Sequence, residues 1–244
     1  MPSGFDLATK IQVPLSEKWG YIFGTSGQVW TQAAQDRITK EKTGNPNYEL
    51  SIKYGSKWIG RRVTDCSGLV KWVCSQFGIK MSHSSNSQAK GGYLSKLDVL
   101  LGSNAIPVGA LVFKLRNGSD FHHVGIYVGD NQVVEARGSK TGVTTSQLGT
   151  WTHYGLIKGV DYGTEEKQKE AKEPMGAGKG IVDVPNDGTV NVRAKPSLQG
   201  QKITTLREGE QLEVLAVSGD WAKIRYTGEG YVMTRYIREV ADHE

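Results

Sequence analysis

Residues 164–180, TEEKQKEAKEPMGAGKG, constrain this chain more than any other stretch, because they offer almost nothing to bury. Charged at first, then rich in glycine with one proline, they are expected to form a linker with a short frayed helix at its start. A chain of 244 residues divided there must build two cores, one from residues 1–163 and one from residues 181–244. The two parts differ in charge. Residues 1–163 carry 18 Lys and Arg against 11 Asp and Glu, a net +7. The linker balances four against four, and residues 181–244 carry eight against ten, a net −2.

The basic balance therefore belongs to the first part and favours an anionic partner: nucleic acid, a membrane surface or wall polymers. No helix-turn-helix, zinc-finger or RNA-binding signature accompanies it, so nucleic acid is not expected as a partner. No apolar run reaches about 18 residues, so no segment is expected to span a membrane. The opening residues, MPSGFDLATKIQVPLSEKWG, lack the positive start and apolar stretch of a secretion signal.

After the linker come short strand-like runs: Val190 to Arg193, Gln211 to Val217, Trp221 to Tyr226 and Gly230 to Met233. Gly-Asp and Gly-Glu-Gly turns separate them, which predicts a small all-β barrel. Before the linker, a helix signal over 66–77 precedes strand signals at 110–115, 123–128, 132–136, 142–145 and 154–158. A helix followed by hairpin-joined strands is an α+β layout with an antiparallel sheet.

Both cysteines lie in the helix signal. Cys66, Leu69, Val70, Val73, Cys74 and Phe77 recur at intervals of three and four and form one apolar stripe. Thr64 or Asp65 can cap its start, and Gly78 can close it. The cysteines are eight positions apart, about 12 Å along a helix, whereas a disulfide needs α-carbons within roughly 7 Å. Both thiols are expected to be free. Cys74 is expected to be a small buried hydrophobe. Cys66 falls in the first turn, where unpaired N–H groups and the helix dipole favour an anion. Gly68 is expected to leave that turn open. On these residues alone, a nucleophilic and a structural Cys66 both stand.

A nucleophilic thiol needs a histidine base and a group to orient it. Of five histidines, His243 is at the tail, and His83 and His153 show no pattern. In Phe-His-His-Val-Gly-Ile-Tyr-Val-Gly, residues 121–129, a strand places His123, Gly125 and Tyr127 on one face and Val124, Ile126 and Val128 on the other. That makes His123 the candidate base and His122 a structural residue. If the turn at Gly129-Asp130-Asn131 holds three residues, Glu135 falls opposite Gly125 and diagonal to His123. A two-residue turn would move it to the aliphatic face. The competing reading of Glu135 is a solvated strand residue.

Asp-Cys-Ser-Gly-Leu-Val at 65–70, followed by His-Val-Gly-Ile-Tyr-Val-Gly at 123–129, resembles the NlpC-type peptidoglycan endopeptidases, bacterial cysteine peptidases with a compact papain-like fold. The resemblance extends over most of residues 15–163. It includes Trp19 to Gly24, Ser84 to Gly92 with Gln88, and Pro107 to Phe113. It implies Cys66 as nucleophile, His123 as base and Glu135 as third member. It also implies Tyr21 near the oxyanion, Asp65 and Ser67 lining the peptide-binding cleft, and no cofactor or metal. Ala110 departs from the pattern, since the family strand usually has Asp there. Residues 181–244 resemble a bacterial SH3-type wall-binding module, through Val190 to Ser197, Trp221 to Ile224 and Gly230 to Val232. Trp221 and Tyr231 are read first as core-packing residues.

The implied activity is hydrolysis of a stem-peptide bond in bacterial peptidoglycan, between D-glutamate and the diamino residue. Two alternatives stay open: an amidase of the related Cys/His class, cutting between glycan and first alanine, and a non-catalytic wall-binding protein. The expected setting is the bacterial cell wall, reached as a phage or prophage lysin or as a mature secreted autolysin. A monomer is expected.

Overall fold

The computed structural model describes residues 1–41, 44–100, 106–129, 131–163, 177–184, 188–196, 200–218 and 221–240. Several expectations fall outside them: the linker through residue 176, Asp130 of the hairpin turn, Ser197, the Gly219–Asp220 turn and His243. The chain divides into two compact units, Met1–Tyr162 and Gly163–Glu244.

The first unit opens with α1 (Gly4–Lys10) and α2 (Gln12–Ser16), followed by β1 (Gly20–Tyr21) and β2 (Ser26–Val29). Next come α3 (Gln32–Lys40), α4 (Pro46–Tyr54), β3 (Arg62–Thr64), α5 (Cys66–Ser75) and α6 (Ser85–Lys90). Six strands then form one antiparallel sheet: β4 (Leu94–Val99), β5 (Leu111–Arg116), β6 (Asp120–Gly129), β7 (Gln132–Gly138), β8 (Gly142–Gln147) and β9 (His153–Ile157). Their order is β4-β9-β5-β6-β7-β8. This is the α+β arrangement expected from the sequence. Strand β4 and the small β1-β3-β2 sheet were not expected; both are short or irregular, and β4 is largely exposed.

The apolar stripe of α5 explains its place. Leu69, Val70, Val73 and Cys74 are fully buried, and so are Leu111, Phe113, Val124, Ile126, Val134 and Ala136 of the sheet. The helix stops at Ser75, two residues short of the expected end. Gly78, at φ +70°, takes the left-handed conformation that lets Ile79 N–H reach back to the Cys74 carbonyl at 3.0 Å.

The second unit is all β: β10 (Gly178–Val182), β11 (Thr189–Arg193), β12 (Lys202–Arg207), β13 (Gln211–Ser218), β14 (Trp221–Arg225), β15 (Glu229–Met233) and β16 (Ile237–Glu239). Strand β10 begins inside the stretch expected to be linker, pairing with β13 and β16. Its glycines conceal it: Gly180 packs so closely that an added Cβ would lie 2.6 Å from Ile237. Among the described residues its strands form one sheet that is not closed, with β12 and β16 at its edges, and the unit is the small all-β module expected. Trp221 is 3% exposed, which supports its packing role.

Candidate active site

Strand β3 leads directly into the start of α5, and this junction builds half of the site. Asp65 caps the helix, its Oδ1 accepting from Gly68 N–H at 2.7 Å. The same carboxylate accepts from Gly24 N–H at 2.8 Å and from the Ser67 hydroxyl at 3.1 Å. His83 Nε2 lies 3.0 Å from both of its oxygens. A carboxylate that is 4% exposed and holds this many partners is a frame for the helix start. Asp65 and Ser67, expected to line the peptide cleft, instead grip one another and the first turn. His83 was passed over in the sequence, since nothing local links it to a residue 18 positions away. Gly68 also differs from expectation. A Cβ there would lie 2.0 Å from the Thr25 carbonyl oxygen, so the glycine permits close packing rather than leaving space.

Cys66 follows as the first residue of α5 and is 9% exposed. Its sulfur faces the backbone N–H of Val124, the residue after His123, as well as the N–H groups of Ser67 and Cys66 itself. Those donors favour a thiolate, but burial and then the Asp65 charge push the thiol up to about 12. Burial thus opposes the ionisation that the helix tip favours, because losing water costs the thiolate free energy. Cys74, fully buried in the same helix, is pushed up to about 12 by burial alone. Both thiols are free.

Tyr21 reaches the same region through β1, which runs parallel to β3 with Tyr21 beside Thr64. Burial, then the charges of Cys66 and Asp65, raise its phenol well above the usual range, so the hydroxyl remains a donor.

The sheet builds the other half. His123 Nε2 lies 2.5 Å from Glu135 Oε2. The pairing of Ile126 with Val134 and Tyr127 with Val133 continues to place Glu135 across from Gly125. The turn is tighter than the three residues required by the sequence argument, since its closing pair is Gly129 with Gln132. A bulge between Tyr127 and Gly129 absorbs one residue and restores the parity. Glu135 is thus 1% exposed and not the solvated strand residue of the competing reading.

Burial raises the Glu135 carboxyl, but hydrogen bonds from His123 and Ser146 and the charges of His123 and Arg137 outweigh it and bring it down to about 2. Arg137 contributes two contacts to Oε1, from Nε at 3.2 Å and Nη2 at 3.1 Å. With Glu135 ionised, Nε2 of His123 carries the proton and donates, which leaves Nδ1 as the basic nitrogen.

Trp151, missed in the sequence, stacks on the His123 ring with centroids 5.3 Å apart and planes 16° from parallel. Gly125 makes room for it: a Cβ there would lie 3.0 Å from the Trp151 ring and 2.6 Å from Val133. The available signal was that glycine on the His123 face of the strand.

With this geometry in hand, the chain can be compared with known proteins. Residues 52–157 match the NlpC/P60 family, and residues 188–238 match the bacterial SH3 domain. A protein of Corynebacterium glutamicum named "Probable endopeptidase" is 29% identical over 152 residues, covering 62% of each chain. A "Probable endopeptidase" of Mycobacterium bovis is 42% identical over 72 residues, 30% of this chain and 16% of that protein. The match thus spans only a small part of the mycobacterial relative. The cell wall-binding protein YwsB of Bacillus subtilis is 44% identical over 55 residues, covering 21% of this chain and 31% of that one. Among solved structures, the P60 domain of a Mycobacterium avium antigen is 21% identical, with TM-score 0.38, covering 63% of this chain and 96% of that one. RipD of Mycobacterium tuberculosis, described as non-catalytic, is 20% identical, with TM-score 0.36, covering 62% and 97%. The chain therefore joins an NlpC/P60-family domain to a bacterial SH3 domain.

Proposed function

We propose that this chain is a cysteine endopeptidase that hydrolyses the stem peptide of bacterial peptidoglycan, at the bond between D-glutamate and the diamino residue, and acts at the cell wall. The supporting observation is the Cys66 sulfur set against the Val124 N–H while Glu135 holds Nε2 of the adjacent His123. The names of the relatives agree with that reading: two are called endopeptidases and one a cell wall-binding protein.

In the proposed reaction the resting thiol is neutral, and Nδ1 of His123 takes its proton as sulfur attacks the peptide carbonyl. The negative charge of Glu135 stabilises the imidazolium that forms. The Cys66 N–H and the Tyr21 hydroxyl donate to the developing oxyanion. The carbon–nitrogen bond breaks as the imidazolium protonates the leaving amine, giving a thioester. Water, deprotonated by His123, then releases the acid and restores the thiol. Asp65, His83 and Ser67 hold the start of α5 in place for this chemistry. The second unit, of net charge −2, would bind the wall through shape and hydrogen bonds rather than through attraction to anionic polymers.

The test is digestion of sacculi of known peptide type, with the fragments weighed by mass spectrometry. The intact chain should release peptides beginning with the diamino residue, and Cys66→Ala should lose at least about 10³-fold in rate. Glycan strands freed of whole peptides would identify an amidase instead. Equal digestion by Cys66→Ala would remove the nucleophile assignment.

A further inference from the structure

The sheet face that carries His123 and Glu135 also holds a hollow of about 530 Å³. That volume lies within the range of small-ligand sites, about 300–1,000 Å³. Its lining includes Lys114, Gln132, Arg137, Ser146, Gln147 and Thr150, together with Glu135 itself.

The charges in it do not cancel. Glu135 gives Oε1 to Arg137 and Oε2 to His123, so its negative charge is already engaged. Arg137 is held further by the Thr145 carbonyl at 3.0 Å. Lys114 has no ion-pair partner among the described residues; its ammonium rests 4.7 Å from the centre of the Trp151 ring. The hollow therefore presents one unspent cation among amide and hydroxyl groups.

Its position gives the cation a use. Lys114 is the direct cross-strand partner of His123. In the proposed reaction His123 protonates the leaving amine, so the substrate beyond that nitrogen must run past the neighbours of His123. The geometry points to a subsite for this leaving half, in which Lys114 pairs with a free carboxylate on the residue bearing the amine or on the next one. The inference deepens the peptidase reading and rests on it. It makes stem peptides with a free carboxylate there the preferred substrates and amidated ones the poor ones.

The experiment uses the full chain with Cys66→Ala, so that no cleavage complicates binding. The probes are γ-D-glutamyl-L-lysyl-D-alanine and its C-terminal carboxamide, titrated by calorimetry. The carboxylate should bind about tenfold tighter than the carboxamide, the scale of one charged hydrogen bond. Adding Lys114→Gln should bring the ratio near one, and Lys114→Arg should keep it. A ratio near one without any Lys114 change, a ratio that survives Lys114→Gln, or no binding of either probe at 10 mM (about the weakest affinity of interest) would overturn the subsite. So would inorganic phosphate binding as tightly as the peptide, which marks a general anion site. Sacculus digestion by the wild-type chain judges the peptidase reading separately: absence of fragments sinks that reading, whereas a failed subsite leaves digestion intact.

Discussion

The two units bury different chemistry. Among the described residues, the second unit is built on Val182, Val190, Val192, Leu206, Leu212, Val214, Ala222, Ile224, Val232 and Ile237. Its ion pairs lie at the surface, as with Arg225 between Glu213 and Glu229. The first unit buries Asp65, Glu135 and Gln88, each given partners by other elements of the fold. A buried carboxylate costs free energy unless it is paired, so its presence marks a place where geometry is held for a purpose other than cohesion.

That contrast can be broken in four ways, beginning with the largest effect. Glu135→Gln keeps the shape but removes the charge, and kcat on wall peptides should fall about 10²- to 10⁴-fold. An unchanged kcat would mean that the buried charge serves only packing. Ile224→Ala in the second unit should cost about 2–5 kcal/mol of that unit's stability in denaturant titrations followed at Trp221. A loss under 1 kcal/mol (about the size of a surface effect) would show that the apolar core is not what holds it.

Acid should separate the units next. The Glu135 carboxyl is lowered from 4.5 to about 2. Its stabilising contribution is therefore complete above about 4.5 and is lost as pH falls towards 2, at most about 3 kcal/mol. The urea midpoint of the first unit should drop across that window in the wild type and drop less in Glu135→Gln. Parallel curves would detach the acid response from this residue. The smallest effect belongs to Arg225→Ala, whose exposed pairs should be worth under about 1 kcal/mol by the same titration. A larger loss would give the second unit an electrostatic dependence that the contrast denies it.

Much of this was legible beforehand. The stripe of α5, the alternation along β6 and the strand at β7 follow from periods that each segment carries within itself. Cys66, His123 and Glu135 could be singled out for that reason. His83 and Trp151 could not, because each finds its partner through the folding of separate elements. The hairpin parity illustrates the limit well: the register was anticipated, but through a loop one residue longer than the structure has. The bulge that reconciles them leaves no mark in residue type. Strand β10 was hidden for the opposite reason, since glycines chosen for close packing look like a linker when read alone.

From the residue order alone came the division into two cores, the free and separated cysteines, and the faces on which the key side chains stand, because local periodicity and reach are properties of the chain. Only the folded arrangement decided that Asp65 is gripped by Gly24, Ser67 and His83, that burial opposes ionisation of the Cys66 thiol, and that Trp151 and Glu135 clamp the same imidazole. Those outcomes depend on how much water each group loses and which distant donors replace it, and both are set when separate segments are brought together.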